Sequence, residues 1–111
     1  MRTSETSARI RQLNDQFRKC FCGGRVMITQ GVDALPSDLR AKAIRNVATF
    51  EAFNLDNDPH NEHDFGSFDL AGQKFFWKID YYSPDLQGGS EDPSDPAKTA
   101  RVLTIMLAQE Y

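Results

Sequence analysis

Between Ser4 and Cys20 the apolar residues Ile10, Leu13 and Phe17 fall at steps of three and four that continue to Phe21, which predicts an amphipathic helix over 4–20. Ser and Thr residues at its start are N-cap candidates, Glu5 suits the first turn, and Cys22-Gly23-Gly24 ends it. From Arg25 to Gln30 the period changes to two, with Val26 and Ile28 on one side and Met27 and Thr29 on the other, so a short strand is expected, closed by Gly31. A second helix starts near Ser37, an N-cap candidate behind Pro36, with Asp38 complementing the helix dipole. Leu39, Ala43, Ile44, Val47 and Phe50 draw its apolar stripe toward Phe53.

Periodicity stops at Asn54. Residues 54–64 are dense in Asn, Asp, Pro and His, side chains that hydrogen-bond nearby backbone in turns, and they read as a loop. A hairpin follows, Phe65–Leu70 and Lys74–Tyr82, turning near Ala71-Gly72. Seven of the twelve aromatic residues lie between Phe65 and Tyr82, so this hairpin is expected to anchor the core.

Its register follows from alternation. Pairing Asp69 with Lys74 and Phe68 with Phe75 puts Phe68, Leu70, Phe75, Trp77, Ile79 and Tyr81 on one face and opposes unlike charges on the other. Extending the ladder backward brings His63 opposite Asp80, with Lys78 and Tyr82 on the same face. Ser83 to Asp95, with Pro84, Gly88, Gly89 and Pro93, is a connection longer than most in a compact domain. Asp95 and Pro96 then open an expected last helix with Val102, Leu103, Met106 and Leu107 as its buried stripe.

These elements predict an α+β fold: a small antiparallel sheet, made of the hairpin plus one further strand, packed against three helices. At 111 residues the chain, 1–111, makes a single domain. No apolar run approaches the roughly 20 residues that span a bilayer, and the N-terminus leads into polar residues, so a cytoplasmic location and no membrane contact are expected.

The net charge of -3 conceals an asymmetry: residues 1–30 carry six Lys/Arg against Glu5 and Asp15, whereas residues 51–95 carry eleven acids against Lys74 and Lys78. Direct nucleic-acid binding is disfavoured, because a few cations on one arm of an acidic chain fall short of a basic footprint. The acidic stretch suits a protein partner with a basic surface, including nucleic-acid-processing or defence complexes; a solvated acidic loop is the plain alternative. Cys20 and Cys22, one residue apart, are too close for an ordinary structural bridge. They read as small thiols in a reducing compartment, or as two zinc ligands at a dimer interface.

The stretches Asn57–Phe68, Phe75–Tyr82 and Arg101–Leu107, with Leu13-Asn14-Asp15, Gly24-Arg25-Val26 and Gly31-Val32, resemble a family of small bacterial proteins of unknown function, often carried on plasmids and other mobile elements. The Cys20 and Cys22 pair is not typical of it. The resemblance implies a cytoplasmic accessory protein that blunts a host defence, such as CRISPR immunity or restriction. It brings no catalytic residues.

Candidate chemistry concentrates in the loop, where Asp56, Asp58, His60, Glu62, His63 and Asp64 offer carboxylate and imidazole groups within nine positions. An EF-hand fails, since Asn61 stands where glycine belongs and Ser67 where the bidentate Glu belongs. A zincin fails, since the histidines sit three apart in a loop. The favoured reading has Asp56 and Asp58 capping turns and a His63–Asp80 pair fastening loop to hairpin. Such a pair can orient a general base, but Ser67 is too far along the strand to serve as nucleophile. Neither Gly-Gly pair fits a phosphate loop. Phe76, Trp77, Tyr81 and Tyr82 are better read as core than as a base-stacking platform.

Two functions of different class follow. One is a non-catalytic binding protein or inhibitor that needs no cofactor and uses His60, Glu62, His63, Asp64, Asp80, Tyr82, Asp85, Glu91 and Asp92 at its contact surface. The other is a metal-dependent hydrolase with His60, His63, Asp64 and Asp80 as ligands and Glu62 as base.

Overall fold

In a computed structural model, described for residues 3–111, three helices pack on one face of a four-stranded mixed sheet. Helix α1 (Ser4–Cys20) is capped by Thr3, whose hydroxyl accepts the Thr6 N–H at 3.1 Å, and it ends at Phe21 in a left-handed conformation. Its buried face is Ile10, Asn14, Phe17 and Arg18, a stripe at helical spacing that is half polar. Strand β1 (Arg25–Ile28) leads into the short helix α2 (Gln30–Asp33), which the sequence pattern did not reveal. In α3 (Ser37–Ala48) Pro36 holds the cap position and Ser37 is the first helical residue, so the expected serine cap is not formed.

Strands β2 (Phe65–Leu70) and β3 (Gln73–Tyr82) form the expected hairpin in the expected register, with Asp69 opposite Lys74 and Phe68 opposite Phe75. Ala71 (φ 53°) and Gly72 (φ 80°) are both left-handed, the turn whose twist matches two right-twisted strands. Gly66 is required for packing: a Cβ there would stand 2.4 Å from Trp77 Nε1.

The C-terminal segment departs from expectation. A single helical turn, Pro96–Lys98, stands where the last helix was expected, and Ala100–Leu107 is strand β4. Its apolar run satisfies a helical stripe and a strand alternation alike. The structure uses the alternation: Leu103, Ile105 and Leu107 face the helices while β4 pairs antiparallel with β3 and parallel with β1. The order β1-β4-β3-β2 therefore gives one strand more than expected, with a parallel pair at one edge.

The core joins Phe17, Val32, Ala43, Val47 and Phe50 to Phe75, Trp77, Ile79, Leu103, Ile105 and Leu107. On the other face Tyr111 packs edge-on against Phe65 and Phe76, at ring separations of 6.2 and 5.4 Å. Cys20 and Cys22 are bonded to each other and exposed, so the expectation of two thiols is corrected: Phe21, turned left-handed between them, brings their Cα atoms to 5.3 Å. No helix among the described residues is long and apolar enough to cross a membrane.

Candidate functional site

The loop 54–64 enters β2, and the connection 83–99 joins β3 to β4, so both lie at one end of the sheet. At that end the core turns polar. Asn14 on α1 donates to the Glu62 carbonyl (3.0 Å) and to the Tyr81 hydroxyl (2.8 Å), and it accepts from Arg101 Nε (2.8 Å). Tyr81 donates to the carboxylate of Glu62 (3.0 Å), which is only 1% exposed, and Arg101 also donates to the Pro93 carbonyl. Both long connections are thereby tied to α1 through buried, hydrogen-bonded polar groups. Burial and the nearby carboxylates of Asp64 and Glu62 push the Tyr81 hydroxyl up, beyond the usual phenol range. Burial draws the Arg101 guanidinium down, and burial together with the Glu62 charge pushes the Asp64 carboxyl up.

Beside this network an open cleft of about 610 Å³ separates α1 from residues 51–63, with Asp15, Arg18, Phe53, Leu55, Asp58 and His63 among its walls. His63 is one of its lining residues. Its Nδ1 stands 2.9 Å from Asp15 Oδ1, its Nε2 lies 3.6 Å from Asp58 Oδ2, and its ring stacks on Phe53 at 3.8 Å. Asp58 is buried and its Oδ1 accepts the backbone N–H groups of Glu62 (2.9 Å) and His63 (3.1 Å), the turn-capping role expected of it. Arg18 bonds Asp15 (3.1 Å), donates to the Val47 and Phe50 carbonyls at the end of α3, and lies over the Phe53 and Trp77 rings.

The expected His63–Asp80 pair is not formed. The ladder ends where Ile79 N–H donates to the Asp64 carbonyl; Asn61 and His63 then adopt left-handed φ values of 56° and 55°. That twist carries the imidazole over to Phe53 on the helix face. Asp80 stays on the opposite face, paired with Lys78 (3.0 Å) and sharing a shallow groove with Tyr82.

The other expected site residues are dispersed. His60 is exposed on the loop, Glu62 is buried on Tyr81, and Asp64 is half-buried. Asp85 accepts from the Ser83 hydroxyl and the Gln87 N–H, which draws its carboxyl down; Asp92 caps Ser94, and Glu91 pairs with Lys98 at 3.5 Å. Among the described residues no three His, Cys, Asp or Glu side chains are grouped to hold a metal, so the ligand set His60, His63, Asp64 and Asp80 is not assembled. His63 bonds carboxylates and not a hydroxyl.

Sequence reasoning missed Asn14, Asp15, Arg18, Tyr81 and Arg101 as members of the site. The available signal was polar residues on apolar stripes: Asn14 and Arg18 follow Ile10 along the inner face of α1, and Arg101 shares the inward face of Leu103 and Ile105.

Two exposed leucines stand at this end. Leu55 is 84% exposed at the cleft edge, in a turn pinned from within: the Asn54 side chain accepts the Asp56 and Asn57 N–H groups (2.9 and 3.0 Å), and the Asn57 side chain accepts the Asn54 N–H and donates to the Ala52 carbonyl. Leu86, 37% exposed and left-handed (φ 63°), sits in the turn that Ser83 and Asp85 hold.

Residues 28–110 match the model of a family described as "Protein of unknown function (DUF3768)", a stretch that contains the loop, the hairpin and β4 but begins after α1. No curated protein and no solved structure matches the chain.

Proposed function

Given that the chain belongs to this family of unknown function, we propose that it is a non-catalytic binding protein whose two acidic turns dock on a protein with a basic surface. The observation that carries this reading is Leu55: a large apolar side chain held in solvent by a hydrogen-bonded turn, next to Asp56 and on the cleft that Glu51 also lines. Leaving such a side chain in water forgoes about 2 kcal/mol, which a partner pocket recovers on contact. Because the Asn54 and Asn57 side chains already order the turn, little further ordering opposes docking.

The 83–88 turn repeats the design, with Leu86 beside Asp85. Eleven acids against two lysines across residues 51–95 favour encounter with a cationic partner over long range. In the mobile-element setting that the sequence resemblance implies, the partner is a defence or nucleic-acid-processing complex, whose nucleic-acid groove supplies the basic surface. The carboxylates of Asp15, Asp58, Glu62 and Asp85 bind backbone, imidazole, guanidinium or hydroxyl groups of the chain itself, an arrangement suited to holding a shape.

The test is capture from a host lysate, identification of the partner, and affinity measurement with purified components. Leu55→Ala is expected to weaken binding at least tenfold. Adding Asp56→Asn and Asp85→Asn is expected to slow association and reduce its dependence on salt. Affinities unchanged in both variants overturn the proposal.

A further inference from the structure

Neither cysteine of the Cys20–Cys22 pair lines the cleft itself; their bond lies at the C-terminal end of α1, one residue past Lys19 on the cleft wall. It closes a ring of only three residues, the case in which a cross-link removes least entropy from the unfolded chain, and it joins no two distant segments. Both cysteines are exposed, within reach of a thiol in solution. The bond also spans Phe21, the helix cap, which is held left-handed although a bulky residue disfavours that region and Gly23 and Gly24 stand ready to supply it.

Two exposed cations, Lys19 and Arg25, flank the pair along the chain, residues 16–32 hold no acid, and Cys22 opens onto a cavity of about 130 Å³ that Arg101 also lines. Exposed cysteines in electropositive surroundings are the exchangeable kind.

We propose that Cys20–Cys22 is a redox-exchange site, a disulfide that opens and closes against dithiols while the protein stays folded. A thiolate of the incoming dithiol attacks Cys20 Sγ; the Cys20–Cys22 bond breaks and Cys22 leaves with the electron pair, its thiolate facing the Arg101 cavity. The second thiol of the dithiol then attacks the mixed disulfide and releases Cys20. The dithiol ends as a disulfide, having lost two electrons and two protons, and both cysteines end as thiols. Opening the bond frees Phe21 and resets the path from α1 into β1, where Gly24 is pressed against Phe17 and the Arg101 carbonyl.

The full chain is equilibrated with mixtures of reduced and oxidised dithiothreitol without denaturant, quenched with maleimide, and weighed. The two cysteines are expected to label together, to lose labelling when oxidant is restored, and to do so with Tm moving by less than about 4 °C. Thiols that stay labelled in oxidised dithiothreitol, a bond that opens only in denaturant, or a chain that unfolds on reduction each overturn the proposal. The single variants assign the leaving sulfur. Toward a dinitrobenzoate disulfide, Cys22 in Cys20→Ser is expected to react several-fold faster than Cys20 in Cys22→Ser; equal or reversed rates contradict the order of attack.

Discussion

Asp15 and His63, 48 positions apart in sequence, meet at 2.9 Å, and this contact fastens the residue 54–64 loop to the first helix. The imidazole is clamped further by the Phe53 ring and the Asp58 carboxylate. His63→Ala removes a charge-assisted hydrogen bond and a ring stack together, with an expected loss of about 2 kcal/mol in urea unfolding. Amide exchange is expected to quicken at Glu62 and His63 and to stay slow at Trp77 and Ile105. Asp15→Asn combined with His63→Ala is expected to cost less than the two single losses added, because the partners are coupled.

Glu62 is the carboxylate most deeply placed in the polar network. Glu62→Ala strips Tyr81 of an acceptor and leaves a gap in the buried network, at an expected cost of about 1–3 kcal/mol. Glu62→Gln keeps an acceptor for Tyr81, so a smaller loss is expected from the same denaturation measurement.

Two glycines of the hairpin separate packing from backbone effects. Gly66→Ala drives a methyl into Trp77 and Phe50, with an expected loss of about 1–3 kcal/mol and a changed Trp77 emission. Gly72→Ala meets no neighbour, and its expected loss of about 1 kcal/mol comes from the left-handed φ of 80° alone.

Acid affects two carboxylates in opposite senses. Glu110 accepts from the Thr29 hydroxyl and from the Leu107 and Gly31 N–H groups, which holds it below its ordinary value of 4.5. Its stabilisation is therefore present above 4.5 and is lost as pH falls through the lowered value. Relative to Glu110→Gln, the native chain is expected to lose its advantage over that range. Asp64, pushed above its ordinary 3.8 by burial and by Glu62, contributes stability below 3.8 that disappears as pH rises through its raised value. Asp64→Asn is accordingly expected to gain on the native chain above that value. Thermal unfolding across an acid pH series measures both.

How far the chain could be read depended on how local each signal was. The β2–β3 register was legible because a strand alternates with period two and Ala71-Gly72 fixes the turn. Strand β4 was misread as a helix because Val102, Leu103, Met106 and Leu107 satisfy a helical stripe; the β-branched residues Val102, Thr104 and Ile105 carried the weaker, correct signal. His63 was assigned to the wrong side of the sheet because extrapolating the ladder assumes extended backbone, and the left-handed turns at Asn61 and His63 end it. No local pattern links His63 to Asp15. Long-range polar partners are set by tertiary packing, here by the buried path from Asn14 to Arg101.

The docking role assigned to the Leu55 turn is tested most directly by placing a photo-crosslinking side chain at Leu55 and, as control, at Met27, which is 53% exposed on the far edge of the sheet. After irradiation in host cells, a discrete adduct with a basic protein is expected from position 55 and none from position 27. An adduct confined to position 27, or none from position 55, would contradict the account.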